Sequence, residues 1–274
     1  MLKQRIITAL ILAGIFFTTL FSSSHWPWLV FVSVMVIQAW REWIKLSKMS
    51  MSKPVVWLAT ALLLAGAYAL TVSAYSWIAV LGSVVLWLFL IVSTLRSNVN
   101  FNSLLWLPTV KLFLGVWILA LTWWALIWLR AQTDGQWWLV GFLLIMFLAD
   151  SGAYFTGKRF GKRKLAAHVS PGKTVEGLIG GVVAVSIYAI IAILSLQMYS
   201  NSVLLFVGAI IIALVSVGGD LFESVLKRQA GLKDSSNILP GHGGVLDRVD
   251  SLLAALPFML LVYAWQSGLS LGLN

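Results

Sequence analysis

Asp220, Glu223, Ser224 and Lys227 are spaced i, i+3, i+4 and i+7, so a helix through them carries all four side chains on one face. The segment leaves an apolar run through Gly218-Gly219, residues that let other backbone approach closely. A carboxylate there can hold a hard cation at a membrane surface; the plainer alternative is a solvated helix end with an internal Glu–Lys pair. A second set follows in Gly241-His242-Gly243-Gly244 and Asp247-Arg248-Val249-Asp250-Ser251. Pro240 stiffens the entry, and the glycines permit backbone N–H groups to converge on an anion. Asp247 and Asp250 are again i, i+3 at the start of an apolar run, where the helix macrodipole by itself would also favour carboxylates. Lys227, Arg228, Lys233 and Arg248 are interleaved with these acids. Acid and base alternating beside glycine turns suit a metal–polyphosphate site, with oxygens for the metal and cations for the phosphates.

A third set runs from Asp150-Ser151-Gly152-Ala153-Tyr154 to Ser170-Pro171-Gly172-Lys173-Thr174-Val175-Glu176-Gly177. Gly172-Lys173-Thr174 has the look of a nucleotide-binding P-loop, but Ala167 stands where the first glycine is needed and no soluble strand–helix unit surrounds it. The local physics still suggests an anion site: Ser170 is expected to cap a helix, Pro171 to fit its first turn, and Lys173 to add charge to the free N–H groups. The basic run 158–164 reads as a topology determinant or an anionic-lipid contact. His168 reads as a loop residue and His242 as a neighbour of a phosphate or metal site. Neither completes a Ser–His–Asp arrangement, which disfavours hydrolase chemistry. Gly177 and Gly181 form a small-xxx-small pair, a helix-packing face.

The elements that must position these groups are dictated by composition. Hydrophobic residues make up 60% of the 274 and charged residues 10%, against roughly 45–50% and about 25% in soluble domains. A chain of this size cannot hide so much apolar surface from water. Nine stretches qualify as membrane spans: 6–23, 26–40, 54–73, 76–95, 109–129, 137–153, 174–196, 202–220 and 251–272. Runs such as 6–20 and 203–217 do not alternate apolar with polar residues, which excludes a β-barrel. The expected fold is an all-α integral membrane protein of about nine transmembrane helices, with the N-terminus cytoplasmic and the C-terminus outside. With that orientation every basic residue of the 19 falls inside except Arg130 and Lys111, as the positive-inside rule requires. The net charge of +10 is therefore mostly an orientation signal, not the mark of a nucleic-acid partner.

Two regions differ in character. Residues 1–140 read as a structural scaffold of transmembrane helices, with Trp26, Trp28, Trp43, Trp57, Trp77, Trp137 and Trp138 placed as an interfacial belt. Residues 141–274 read as a catalytic transmembrane region with cytoplasmic loops at 154–173 and 221–250. Of nine acidic residues, all but Glu42 and Asp134 lie from Asp150 onward, and ionisable groups at membrane depth are costly and usually functional. Lys3, Arg5 and the following apolar run also resemble a signal peptide with a weak cleavage site at 22–24. An uncleaved first helix is expected instead, because its removal would disturb the charge count. With no cysteine, disulfides and thiolate metal sites are excluded.

The stretch from Ser224 to Asp250, SVLKRQAGLKDSSNILPGHGGVLDRVD, resembles the signature of the phosphatidate cytidylyltransferases, or CDP-diacylglycerol synthases, of bacterial type. Asp150–Tyr154 and Ser170–Gly177 are similar to upstream blocks of that family, although many members carry Lys where this chain has Gly172. The resemblance covers roughly residues 145–255. It implies transfer of CMP from CTP to phosphatidic acid, giving CDP-diacylglycerol and pyrophosphate for phospholipid biosynthesis, with Mg2+. It further implies a multi-pass enzyme of the inner membrane, working at the cytoplasmic face among membrane lipids, and a homodimer. Asp220 and Asp247 would then be metal ligands, with a second cation in a paired site, and Asp250 and Asp150 metal, supporting or nucleotide contacts. Lys173, Lys227, Arg228, Lys233 and Arg248 would hold phosphates of CTP or phosphatidate, aided by Ser170, His242 and the Gly243-Gly244 amides. Two rivals are another CTP-using lipid enzyme of the polyprenol kinase type and an anion transporter. The clustering of charges at span ends on one side favours an interfacial enzyme over a transporter.

Overall fold

A computed structural model of the chain describes residues 2–73, 76–95, 106–197 and 201–269. Arg96, counted above among the inside charges, lies outside the described residues, as do the side chains of Lys3 and Arg5. Nine α-helices occur among the described residues, one for each apolar stretch: α1 (Leu2–Leu20), α2 (Trp26–Leu46), α3 (Pro54–Val72), α4 (Ser76–Leu95), α5 (Pro108–Arg130), α6 (Gly135–Phe160), α7 (Val175–Ser195), α8 (Ser202–Ala230) and α9 (Leu246–Gln266). The only strands among them are a short antiparallel pair between α6 and α7, β1 (Lys164–Ala166) and β2 (Ser170–Thr174). Seven helices, α3 to α9, are long and apolar enough to cross a membrane. The apolar part of α1 is shorter, Ile6–Leu20, and α2 carries Arg41, Glu42 and Lys45 in its second half. Along α7, Ile179, Val183, Ile187, Ile190 and Leu194 are exposed, which is stable only where lipid replaces water. The protein is an all-α membrane protein.

The chain divides into two compact units. The first comprises Met1–Ser76, Asn100–Gln136 and Leu226–Asp250. Its helices α2 and α3 pack on α5. Gly115 has no side chain because the indole of Trp43 fills the place a Cβ would take, and that indole donates from Nε1 to Lys111 O at 2.8 Å. Trp28 likewise donates to Leu126 O at 3.0 Å. Trp28, Trp43 and Trp77 are buried, whereas Trp26, Trp57 and Trp137 are exposed. The interfacial belt is thus smaller than expected, because a buried indole can satisfy its single N–H on a backbone carbonyl. Lys111 is also buried; it donates to Gln229 Oε1 at 3.1 Å and to Leu46 O, the last residue of α2, at 3.5 Å. A cation at a helix C-terminus meets the negative end of the dipole.

The second unit comprises Trp77–Val99, Trp137–Val225 and Ser251–Asn274. Here α6 and α7 meet through glycines. A Cβ on Gly177 would lie 2.9 Å from Ala153 O, and one on Gly181 would lie 2.7 Å from Ala149 O. Gly152 faces Gly180 O and Ala184 in the same seam. The Gly177/Gly181 pair is therefore spent inside the chain, on α6, and offers no support for a dimer. Trp87 of α4 sits edge-on to Phe222 of α8, with ring centroids 5.5 Å apart.

Candidate functional site

Three boundaries differ from the sequence reading, and each repositions candidate residues. First, α6 continues to Phe160, so 154–160 is helix and not loop; its Gly157 packs against Thr174 and Gly177, which rewards the extra turns. Second, Ser170 does not cap a helix. It lies in β2, and the cap is Thr174, whose Oγ1 accepts from Gly177 N at 3.1 Å. Thr174 is an extended residue with φ −125° and ψ 155°, the geometry an N-cap requires. Third, α8 runs to Ala230 and α9 begins at Leu246, which confines the second polar loop to 231–245.

The hairpin is tied down by one acid. Glu176 Oε2 accepts from the backbone N–H groups of Lys162 and Arg163 at 3.0 and 3.1 Å, and Oε1 accepts from Arg163 Nε at 3.0 Å. With the hairpin so anchored, Lys173 on β2 reaches Asp220 on α8, Nζ to Oδ2 2.6 Å. It also donates to Val217 O at 3.4 Å, while Ser224 Oγ donates to Asp220 Oδ1 at 3.3 Å. Asp150 on α6 is close enough to feel the charges of both Lys173 and Asp220. The second unit thus gathers Asp150, Lys173 and Asp220 into one charged cluster. The Lys173 and Asp220 side chains keep 24% and 31% of their exposure, so both remain open to a solute.

In the first unit the glycine turn is built around Asp247. Gly241 and Gly243 have φ of +76° and +82°, values that glycine adopts without strain. Leu239 and Gly243 pair across the turn. Asp247 Oδ2 accepts from Gly244 N at 2.8 Å, Ser235 N at 2.9 Å and Ser235 Oγ at 2.9 Å. Asp247 Oδ1 accepts from Lys227 Nζ at 2.6 Å. The expectation that the Gly243-Gly244 amides converge on an external anion is corrected for Gly244, because its N–H is held by Asp247. Lys227 thus pairs with Asp247 across the turn. Arg248 Nε donates to His242 O at 3.0 Å, and Arg228 Nη1 to Leu232 O at 3.4 Å. The side chains of Arg228, Lys233 and Arg248 are exposed.

Glu42, one of the two acids outside the polar half of the sequence, is among the most buried polar residues described, 2% exposed on α2. It accepts from the backbone N–H groups of Val245 and Leu246, at 3.1 and 2.7 Å, which open α9. Nothing local in the sequence marks its role, since apart from Gln38 its partners are some 200 positions away (|i−j| of 193 to 204).

An oxygen-rich set suits a hard cation. Among the described residues no three or more His, Cys, Asp and Glu side chains converge, so the chain offers at most paired carboxylates. Mg2+ is commonly bound by one or two carboxylates, with substrate phosphates and water completing the shell. Asp220, beside the Lys173 ammonium, and Asp150, which feels the charges of both, fit that description. Asp247 fits through Oδ1 alone, because its other oxygen is saturated.

A multi-helix membrane protein with lysine–aspartate pairs on and beside its helices is the class that fold and sites define. Residues 3–265 match the cytidylyltransferase family, and the chain belongs to that family. It is 41% identical over 275 residues to a phosphatidate cytidylyltransferase of Pseudomonas aeruginosa, covering 98% of each chain. It is 49% identical over 137 residues to one of Haemophilus influenzae, covering 47% of this chain and 46% of the relative. For one of Bacillus subtilis the identity is 46% over 121 residues, 44% and 45% of the two chains.

Proposed function

We propose that the protein is a CTP:phosphatidate cytidylyltransferase of the bacterial inner membrane, acting at the cytoplasmic face. The observation that carries this reading is the similarity to the Pseudomonas aeruginosa enzyme over 98% of both chains. The substrates give the site its requirements: a phosphate monoester anchored in the leaflet must meet a water-soluble nucleotide. A phosphatidate oxygen attacks the α-phosphorus of CTP in line; a P–O bond to that oxygen forms as the bond to the β-phosphate oxygen breaks, and pyrophosphate leaves. The attacking oxygen is already ionised, so no strong general base is needed, and positioning and charge neutralisation supply most of the catalysis.

Asp220 and Asp247 are proposed as metal ligands, with Asp150 and Asp250 in supporting or nucleotide-contacting roles. Mg2+ bound there, with a second cation in a paired site, would neutralise phosphate charge. Lys173 and Lys227, each on an aspartate at 2.6 Å, would orient phosphate oxygens. The exposed Arg228, Lys233 and Arg248 would gather the triphosphate or the lipid headgroup, with His242 and Gly243 nearby in sequence, and Ser170 beside Lys173, as hydrogen-bonding groups. A homodimer is proposed on family resemblance alone.

The test is purified protein in detergent with phosphatidate and CTP labelled at the α-phosphate. Label should enter lipid as pyrophosphate is released, and chelation should stop the reaction until Mg2+ is restored. Release of CDP with transfer of the γ-phosphate would assign a lipid kinase instead, and no CDP-lipid from folded protein would end the proposal.

A further inference from the structure

We infer that Glu42 is a positioning residue for the reaction, fixing Asp247 and the first turn of α9 from the distant helix α2; this rests on the role given to Asp247 above. Five neutral donors converge on the Glu42 carboxylate. Oε1 accepts from Ser236 Oγ at 2.7 Å, Gln38 Nε2 at 2.8 Å and Val245 N at 3.1 Å. Oε2 accepts from Leu246 N at 2.7 Å and from Ser235 Oγ, which lies 2.9 Å away. These bonds satisfy N–H groups at the start of α9 that have no partner within the helix, and they place a negative charge at the positive end of its dipole.

The link to the reacting region is Ser235, which is fully buried. Its Oγ stands 2.9 Å from Glu42 Oε2 and 2.9 Å from Asp247 Oδ2. One hydroxyl has one proton, so only one carboxylate holds it at a time, and the two acids are coupled through it. Gly244 seals the arrangement: a Cβ there would run into Ser235 Oγ and lie 2.5 Å from Glu42 Oε2. The carboxylate also cannot be replaced by its isosteric amide. Whichever oxygen becomes NH2, it faces a backbone N–H, that of Val245 or of Leu246, and a backbone donor cannot turn away. A helix of the N-terminal half therefore holds the aspartate in the polar half at a set position.

The experiment compares the full-length parent in detergent with Glu42→Gln, Ser235→Ala and the double variant. Amide hydrogen exchange across 235–247 is followed without substrate, alongside kcat and the KM for CTP. Glu42→Gln should speed exchange in that segment by about tenfold or more while the other helices keep their protection. It should lower kcat by about tenfold or more with KM for CTP within about threefold of the parent. Ser235→Ala should shift both readouts in the same direction, and the double variant should fall no more than about threefold below Glu42→Gln, because both changes reach the same carboxylate. Parent-like exchange or parent-like kcat in folded Glu42→Gln overturns the inference, as does a double variant whose losses multiply. Should Glu42→Gln not fold, Ser235→Ala decides alone, and parent-like kcat and exchange in it refute the coupling. A parent that makes no CDP-lipid refutes the proposed function instead, and the exchange result still reports whether Glu42 fixes Asp247.

Discussion

Lys227 Nζ lies 2.6 Å from Asp247 Oδ1, and the side chains are only 12% and 6% exposed. The pair joins the last turns of α8 to the first turn of α9, the ends of the segment with the densest family signature. Removing one member of a buried ion pair costs about 3–5 kcal/mol, because a charge is left without its partner. Asp247 keeps two backbone N–H donors and a share of the Ser235 hydroxyl, which places Lys227→Met at the lower end, about 3 kcal/mol. Thermal unfolding in detergent should show that loss, and turnover should fall by about 100-fold or more. Asp247→Asn should abolish turnover, with some loss of stability as well, since its amide would face the Lys227 ammonium or a backbone N–H. Near-normal rates in folded Asp247→Asn would remove that residue from the chemistry.

The Lys173–Asp220 pair makes the opposite separation of stability from activity. Its side chains keep about a quarter to a third of their exposure (24% and 31%), so the ion pair itself contributes no more than about 1 kcal/mol. Asp220→Asn should thus unfold within a few degrees of the parent while losing turnover by about 100-fold or more. A folded variant with turnover within a few-fold of the parent would show that Asp220 serves only to hold the hairpin.

What the sequence revealed and what it hid follow from the range of the interactions. Each of the nine apolar stretches falls on one of the helices α1 to α9, seven of them long and apolar enough to cross a membrane, because a segment in lipid must satisfy its backbone internally; the i, i+3 spacing of Asp247 and Asp250 falls on α9 as expected. The glycine turn was legible for the same local reason. Ser170-Pro171 has the local chemistry of a helix opening, but pairing with β1 claims 170–174 and hands the cap to Thr174. The length of α6 depends on Gly157 meeting α7, a tertiary contact with no local signal. Glu42 is the extreme case: a lone acid in an apolar helix, whose link to the polar half lies in partners far along the sequence.

The glycine seam yields a prediction that separates packing from assembly. Gly181→Leu pushes a branched side chain against Ala149 O, where even a Cβ would lie at 2.7 Å. Overpacking of this kind costs about 1–3 kcal/mol or more, so the melting temperature should fall while the oligomeric state, read by light scattering in detergent, stays that of the parent. A change of oligomeric state with unaltered stability would assign the seam to contact between copies.

Lys162 and Arg163 test the membrane-facing reading of the basic run. Both contribute backbone N–H groups to Glu176, and those bonds survive substitution. Arg163 is largely exposed, so its side-chain bond to Glu176 is dispensable. Lys162→Gln with Arg163→Gln should leave kcat on short-chain, soluble phosphatidate within about twofold, yet weaken the dependence of rate on anionic lipid in mixed micelles. A large loss on the soluble substrate would place these cations in the phosphate site.

Gly244→Ala addresses the turn most directly, because a single methyl group separates steric from electrostatic effects. No charge changes and the backbone N–H that Gly244 donates to Asp247 is retained, but the new methyl meets Ser235 Oγ and Glu42 Oε2. Relief requires the turn to move away from Ser235 and the Glu42 carboxylate, at a cost of about 1–3 kcal/mol, and the displaced N–H loosens Asp247. Turnover should drop by about tenfold or more, with a lower melting temperature. Adding Ser235→Ala removes the nearest obstructing atom, so the double variant should be more stable than the sum of the single losses predicts, by about 1 kcal/mol. Strict additivity would mean that the methyl group is accommodated elsewhere and that Ser235 does not set the space above α9.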